Sequence, residues 1–391
     1  MRKIISVMMI YAAYICVLYA GSNGRIKFIK GNISEKTAAV REASDDSEAA
    51  DLANAAIDFA LANKAELGDD RDLDGLAVAG VLALPSAFVA SYDQNMKNAL
   101  VNKFGQLFTE FASDTVRIAV INKTAILKDA VPLGSFVQML NDFLQNSDGA
   151  TPDNEVIKAA VNTLGTIGDS QSFSVIYDCV SQQKWPQYTT EMNNSLSLLA
   201  DKSIPQIIGI IQDGNTKTIR LLFDLFCRNS QNSSSFKAEI AENVLSETIY
   251  LADNSSTVTK ETVSIQLDSM RIISQLKWTR SSSVMISFFN LAKREYIAEV
   301  MTDDEFAEVI NGVANVAPID SSSVLSTYLM ELNKQTENGT KLSDKVVLAV
   351  INALGAIGDK SSFDSLLYVT YVNYPENVIA AARDALARLK W

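Results

Sequence analysis

The chain has 391 residues, 48% of them hydrophobic and 20% charged, with 17 glycines and 7 prolines, so it can bury a core and carries no long low-complexity linker. Its formal net charge is −12, and no cluster of lysine or arginine marks a phosphate-binding face, which argues against nucleic-acid binding and against anionic membrane surfaces. There is no histidine, no CxxC pair, no G-x-G-x-x-G and no Walker A loop, so the common Ser-His-Asp, Cys-His and histidine-zinc chemistries have no residues to act through.

In chain order, Arg2 and Lys3 precede an uncharged apolar run from Ile4 to Ala20, and the polar Gly21-Ser22-Asn23-Gly24 follows. This is the layout of a cleavable secretory signal, with an uncleaved membrane anchor and a soluble internal protein as the alternatives. Cleavage would remove two positive charges. Cys16 has apolar residues on both sides, unlike a lipoprotein cysteine at the end of its apolar run, and is expected to leave with the signal. Cys179 and Cys227 could pair in an oxidising compartment or fill cores as free thiols. Asn-x-Ser/Thr sites at Asn32, Asn122, Asn193, Asn232, Asn254 and Asn338 carry meaning only in a eukaryotic secretory host.

Apolar periodicity predicts helices over 48–62, 76–91, 95–112, 115–127 and 131–144. Further helices are expected over 156–167, 173–180, 204–211, 218–226, 236–251, 263–276, 283–293, 304–313 and 323–332. Near the C-terminus, Ser343 or Asp344 can cap a helix running to Ile357, which Gly358 can stop through left-handed geometry. A second helix follows from Phe363, and Pro375 can start a third with Val378, Ala381, Ala382, Ala385, Leu386 and Leu389 inward.

Two stretches nearly 190 residues apart say almost the same thing. VIKAAVNTLGTIGDSQSF begins at Val156 and VVLAVINALGAIGDKSSF at Val346, with ten of eighteen positions identical, Leu164/Leu354, Gly165/Gly355, Gly168/Gly358 and Asp169/Asp359 among them. Trp185-Pro186 answers Tyr374-Pro375, and Leu196 and Leu199 answer Leu386 and Leu389. A weaker copy, VINGVANV at Val309, precedes VINALGAI at Val350 by 41 residues, the length of a two-helix repeat. These letters resemble the HEAT-like repeats of the phycobilin-lyase type, whose unit looks like V-R-x-x-A-A-x-A-L-G-x-I-G-D. Lys158 stands one place late for the usual arginine and Ala387 replaces a glycine. The resemblance covers about 156–200 and 304–391 and implies an all-α, right-handed HEAT-like superhelical solenoid with an irregular N-terminal part. It also implies bilin-lyase activity as a fold-level analogy, which a histidine-free, exported chain does not favour.

The expected organisation is a signal at 1–20, a polar N-terminal segment at 21–44, a helical N-terminal region at 45–150 and a HEAT-like repeat region at 151–391. In such repeats the recurring alanines and leucines pack, Gly165 and Gly355 permit close helix approach, and the Gly-Asp pairs turn corners. Asp70, Asp72, Asp74 and Gly75 match positions one, three, five and six of a calcium loop, but position twelve falls on Val81, so helix capping is the preferred reading. Trp185 and Tyr374 read as packing residues, Trp278 as a candidate interface residue, and Tyr371 with Tyr374 as a cap on the open core. No catalytic, cofactor-binding or metal-binding residue is assigned. The expected function is non-catalytic protein binding or scaffolding in the periplasm or outside the cell, with a protein partner, no nucleic acid and no membrane span after signal cleavage. A small-ligand carrier and an enzyme of unknown class are the alternatives.

Overall fold

The structure, a computed structural model, describes residues 23–148, 155–254 and 259–390. The signal-like run with Cys16 lies outside the described residues, as do 255–257 of the polar stretch that begins at Asn254. The chain divides into two compact units that meet in sequence at Lys202 and Ser203. Among the described residues there is no β-strand, only an isolated bridge between Asp359 and Lys390.

The first unit contains α1 (Asn23–Lys30), α2 (Ile33–Glu42), α3 (Asp46–Leu67), α4 (Arg71–Ala83), the short α5 (Ser86–Ala90), α6 (Gln94–Glu110), α7 (Asp114–Ile126), α8 (Gly134–Asn146), α9 (Glu155–Ile167), α10 (Gln171–Ser181) and α11 (Thr189–Leu199). The second contains α12 (Ile204–Gln212), α13 (Thr216–Cys227), α14 (Ser234–Asn254), α15 (Lys260–Gln275), α16 (Ser282–Ile297), α17 (Asp303–Val316), α18 (Pro318–Glu337), α19 (Asp344–Ile357), α20 (Phe363–Val369) and α21 (Glu376–Ala387). Several helix starts are signalled by a side-chain cap: Asn32 and Thr302 complete capping boxes with Glu35 and Glu305, and Asp45, Asp70, Asp93, Asn215 and Thr259 each accept a first-turn N–H.

Within each unit the helices pair and the pairs stack. In the first, one row runs α1, α3, α6, α8, α10 and the other α2, α4, α7, α9, α11. In the second, the rows are α12, α14, α16, α18, α20 and α13, α15, α17, α19, α21. Each helix touches its pair-mate and its neighbours along its own row, the connectivity of a helical solenoid. Bonds between successive pairs accordingly join residues about forty apart: Lys184 donates to the Leu144 carbonyl (40 residues, 2.7 Å), and Ser322 meets Ser362 (40 residues, 3.2 Å).

Glycine sets the closeness of the second row. A Cβ built on Gly165 of α9 would lie 2.7 Å from Ser195 Cβ of α11, and one on Gly355 of α19 would lie 2.8 Å from Ala385 Cβ of α21. These two contacts are the same contact displaced by 190 residues. The corners match as well. Gly168 (φ 75°) and Gly358 (φ 71°) are left-handed, and Asp169 and Asp359 cap the next turn through the amides of Gln171 and Ser361.

The recurrence extends far beyond the three helices legible in the letters. Buried Ala50, Leu52, Ala53, Ala56, Ile57 and Ala60 of α3 correspond at an offset of 188 to buried Ala238, Ile240, Ala241, Val244, Leu245 and Thr248 of α14. Leu100, Val101, Phe104 and Leu107 of α6 correspond at 188 to Phe288, Phe289, Ala292 and Glu295 of α16. Leu73, Leu76, Ala77, Gly80 and Val81 of α4 correspond at 189 to Thr262, Ile265, Gln266, Ser269 and Met270 of α15. The second unit therefore repeats the buried register of the first, which differs from the expectation of an irregular N-terminal part. The repetition is kept in which positions are buried rather than in which residues fill them. The 21–44 segment holds α1 and α2, and the helix expected over 76–91 is two, because Pro85 has no N–H to continue α4.

Leu354 and Leu164 are fully buried, at 0% exposure, in their respective second rows. Leu354→Asp is expected to destabilise the second unit by about 3 kcal/mol or more, seen as a lowered melting temperature and new protease cleavage over 344–390. An unchanged melting curve would mean that the buried face of α19 is misassigned.

Candidate interaction surface

The residues singled out by their letters turn out mostly structural. Asp70 is the N-cap of α4, accepting from the amides of Asp72 and Leu73 at 2.9 Å, and Asp72, Asp74 and Gly75 lie inside the helix rather than in a loop. Among the described residues no group of three or more cysteine, aspartate or glutamate side chains is placed to hold a metal ion. Trp185 and Tyr374 are buried at their corners, whereas Tyr371 is 76% exposed and caps nothing. Trp278 is half-buried, its indole N–H donating to Glu242 at 2.7 Å and its ring lying under Arg280. Cys179 and Cys227 are buried free thiols, one in each unit. Burial pushes both thiols up, Cys227 to about 12, so they act as apolar filling rather than as nucleophiles.

The two units are stitched differently. In the first, lysines reach across to close the carbonyl ends of neighbouring helices. Lys36 caps α1, Lys123 caps the end of α4 through the Leu82 and Leu84 carbonyls, and Lys202 reaches the Gly168 carbonyl after α9. Burial lowers the affinity of Lys36 and Lys123 for their protons, a cost that these carbonyl contacts offset. The first unit also has separate ion pairs, but in the second they join into a ladder. Asp268 of α15 accepts from Arg220 of α13, from Arg228 just after it and from Arg271 of its own helix, at 2.9, 3.0 and 3.0 Å. Arg271 passes the chain of charges on to Glu308 of α17 in a two-pronged contact at 2.6 and 2.8 Å. Every arginine in this ladder has a carboxylate partner, so it presents no free charge to a ligand.

Where the two rows of the second unit meet there is a different surface. The end of α16, the middle of α18 and the start of α19 enclose a slot of about 190 Å³. Its walls are Tyr296, Ile297, Tyr328, Leu332, Leu342 and Val346. Tyr328 is held from behind by Phe289 and Phe306 in edge-to-face contacts at 5.7 and 5.8 Å, and Tyr296 stacks on Phe306 at 4.7 Å. The rim is polar: Lys293 pairs with Glu331, and Asp303 accepts from the Tyr296 hydroxyl (2.8 Å) and the Ser343 hydroxyl (2.5 Å). Those two hydroxyls hold the Asp303 carboxyl below its usual range. Ile297 is 71% exposed at the mouth. Other exposed apolar residues, such as Tyr250 and Ile319, stand outside this lining and need no special reading.

The first unit has a wider cleft of about 560 Å³, lined by Asp51, Asp58, Phe88, Tyr92, Met96 and Lys103 among others. Its charged groups are paired, Lys103 with Asp58 and Asp51 with Arg25, and the Tyr92 hydroxyl accepts from Asn54 at 2.8 Å. Neither cavity was legible beforehand. The helix expected over 283–293 stops one turn short of Glu295, Tyr296 and Ile297. The signal available was an apolar period running through Phe288, Phe289 and Ala292 to a final turn that mixes an acid with a tyrosine and an isoleucine.

Among the described residues no helix is long and apolar enough to cross a membrane. No family model matches the chain, and no curated protein matches it. Among solved structures, that of SYS-1 is similar over 94% of this chain and 67% of its own, at 11% sequence identity and a TM-score of 0.35.

Asp268 holds three arginines with a side chain only 20% exposed. Asp268→Asn is therefore expected to destabilise the second unit by about 1–2 kcal/mol, whereas Asp304→Asn, which breaks one exposed pair with Lys345, should change it by less than about 0.5 kcal/mol. Denaturant titration of both variants checks this, and equal losses would contradict the ladder's cooperative role.

Proposed function

We propose that the chain is a non-catalytic binding or scaffolding protein that holds a protein partner through the slot of the second unit. The observation that carries this reading is the slot's size and chemistry. About 190 Å³ lies well below the roughly 300–1,000 Å³ of ordinary small-molecule sites and suits one apolar side chain. An apolar floor with a charged rim is the arrangement of an anchor position at a protein interface, where a buried apolar contact gives affinity and the rim excludes water. The rim pairs are exposed or half-buried, so they tune specificity more than strength.

The stacked pairs, with neighbour contacts near forty residues apart, support assigning the helices to the HEAT-like class, whose stacked units present extended surfaces. Export to the periplasm or outside the cell is part of the proposal and rests on Arg2, Lys3 and the apolar run to Ala20. A second reading, a small-ligand carrier, draws on the first unit's cleft of about 560 Å³, which is large enough for a metabolite but whose charged groups are already paired. Catalysis is not part of the proposal.

Ile297→Asp should leave the melting temperature within about 1 °C, because the residue is exposed, yet abolish capture of a defined partner that the unaltered chain binds. Equal capture by both proteins would remove the slot from the interface. N-terminal sequencing of protein recovered from its native host should give a chain beginning near Gly21. Retention of Met1 to Ala20 in a soluble cytoplasmic fraction would contradict export.

A further inference from the structure

The helix turn that lines the slot carries a group that the first unit does not have. Glu295, one residue before Tyr296, is only 3% exposed, and neither of its carboxyl oxygens has a hydrogen-bond partner of good geometry. Gln266 on α15 is fully buried, and its Oε1 also lacks a partner. The amide nitrogen of Gln266 donates to the Thr248 carbonyl at 3.4 Å, and the Thr248 hydroxyl is committed to Val244 at 2.9 Å. Ser269, one turn on from Gln266, is buried and makes no hydrogen bond. The equivalent positions of the first unit are Leu107, Ala77, Ala60 and Gly80, all buried and all without polar side chains. The fold therefore does not require this polar cluster.

We propose that Glu295, Gln266, Ser269 and Thr248 form a proton-operated latch beneath the slot: with Glu295 protonated, the last turn of α16 is held to the core, and with Glu295 ionised, that turn is released and the slot loses its wall. A protonated carboxyl carries an O–H that can donate to the orphaned Gln266 Oε1, whereas a carboxylate only accepts, leaves that oxygen without a donor and adds a buried charge. The segment that would move is marked. The Glu295 carbonyl accepts the amides of Val300 and Met301 around Glu299, which sits at φ 59°, and the same turn carries Tyr296 and Ile297.

The charged groups acting on Glu295 are Arg294 of its own helix and Asp253 of α14, which are paired with each other. From α15 it faces uncharged Gln266, and the end of α16 packs on Phe306 of α17 and, through Phe289, on Tyr328 of α18. Burial pushes the Glu295 carboxyl from 4.5 up to about 7, against the pull of Gln266 and Arg294 and with the push of Asp253. Burial holds Tyr328 far above neutrality and Tyr296 at about 12, so neither competes in this window. The sign follows from linkage. Below about 4.5 the acid is protonated whether the turn is docked or released; between there and about 7 the docked form binds more protons, so docking weakens as pH rises; above that the penalty is constant.

As a regulation of the same slot, the latch rests on the binding reading, but its test needs no partner. Hydrogen exchange of the full chain, followed by mass spectrometry and corrected for intrinsic rates, should show protection over 293–301 falling at least about tenfold between pH 5 and pH 8. Glu295→Gln, and Glu295→Leu, which copies Leu107 of the first unit, should stay protected across that range. The counterpart turn over 105–113 serves as the internal control and should show no fall. If the unaltered chain and either folded variant change alike, or if 105–113 changes as 293–301 does, the latch is wrong. Failure of Ile297→Asp to lose its partner would instead count against the slot as interface and leave these exchange results standing.

Discussion

Everything in this molecule depends on lateral burial between successive helix pairs. A single pair exposes a broad apolar face and can cover it only with the pair before and the pair after. The cover is tight because Gly165 and Gly355 let the second-row helices approach to where a side chain would collide with Ser195 or Ala385. Once the pairs stack, bonds about forty residues apart follow, and the corner glycines and capping aspartates fix where each pair turns. The exposed face is then free to vary, since none of its side chains is needed to close the core.

The chain contains its own comparison. Two units with matching buried registers have been finished in different ways, one with lysines on carbonyl ends and the other with an arginine–carboxylate ladder. The first keeps small and apolar residues at Ala60, Ala77, Gly80 and Leu107 where the second has Thr248, Gln266, Ser269 and Glu295. Burying a carboxyl without a good partner works against stability. Its position one residue before the slot-lining Tyr296 links a destabilising residue to a surface feature.

Much of the fold was legible in the letters because helical apolar periods are strong where leucine, isoleucine and valine recur, as in α9 and α19. Helices α1 and α2 were missed because they are short and carry several charges, although the Asn32/Glu35 capping box announced α2. The whole-unit recurrence was hidden because alanine, phenylalanine, threonine and glutamate substitute for one another at buried positions without disturbing the register. The slot was not legible at all. Tyr296, Tyr328 and Leu342 come from separate segments, and only packing brings them together. Asp70 to Gly75 illustrates the opposite hazard: residues in a metal-like pattern whose geometry is that of a helix cap.

The proposed association with a protein draws on the stacked helix pairs within each unit, a slot the size of one side chain and a net charge of −12. The most direct measurement is photocrosslinking in the native host, with a photoreactive amino acid placed either at Ile297, at the slot mouth, or at Ile126, an exposed residue of the first unit. The account predicts a discrete adduct to one protein from the Ile297 position and none of that species from Ile126. The same adduct from both positions, or no protein adduct from Ile297, would contradict it.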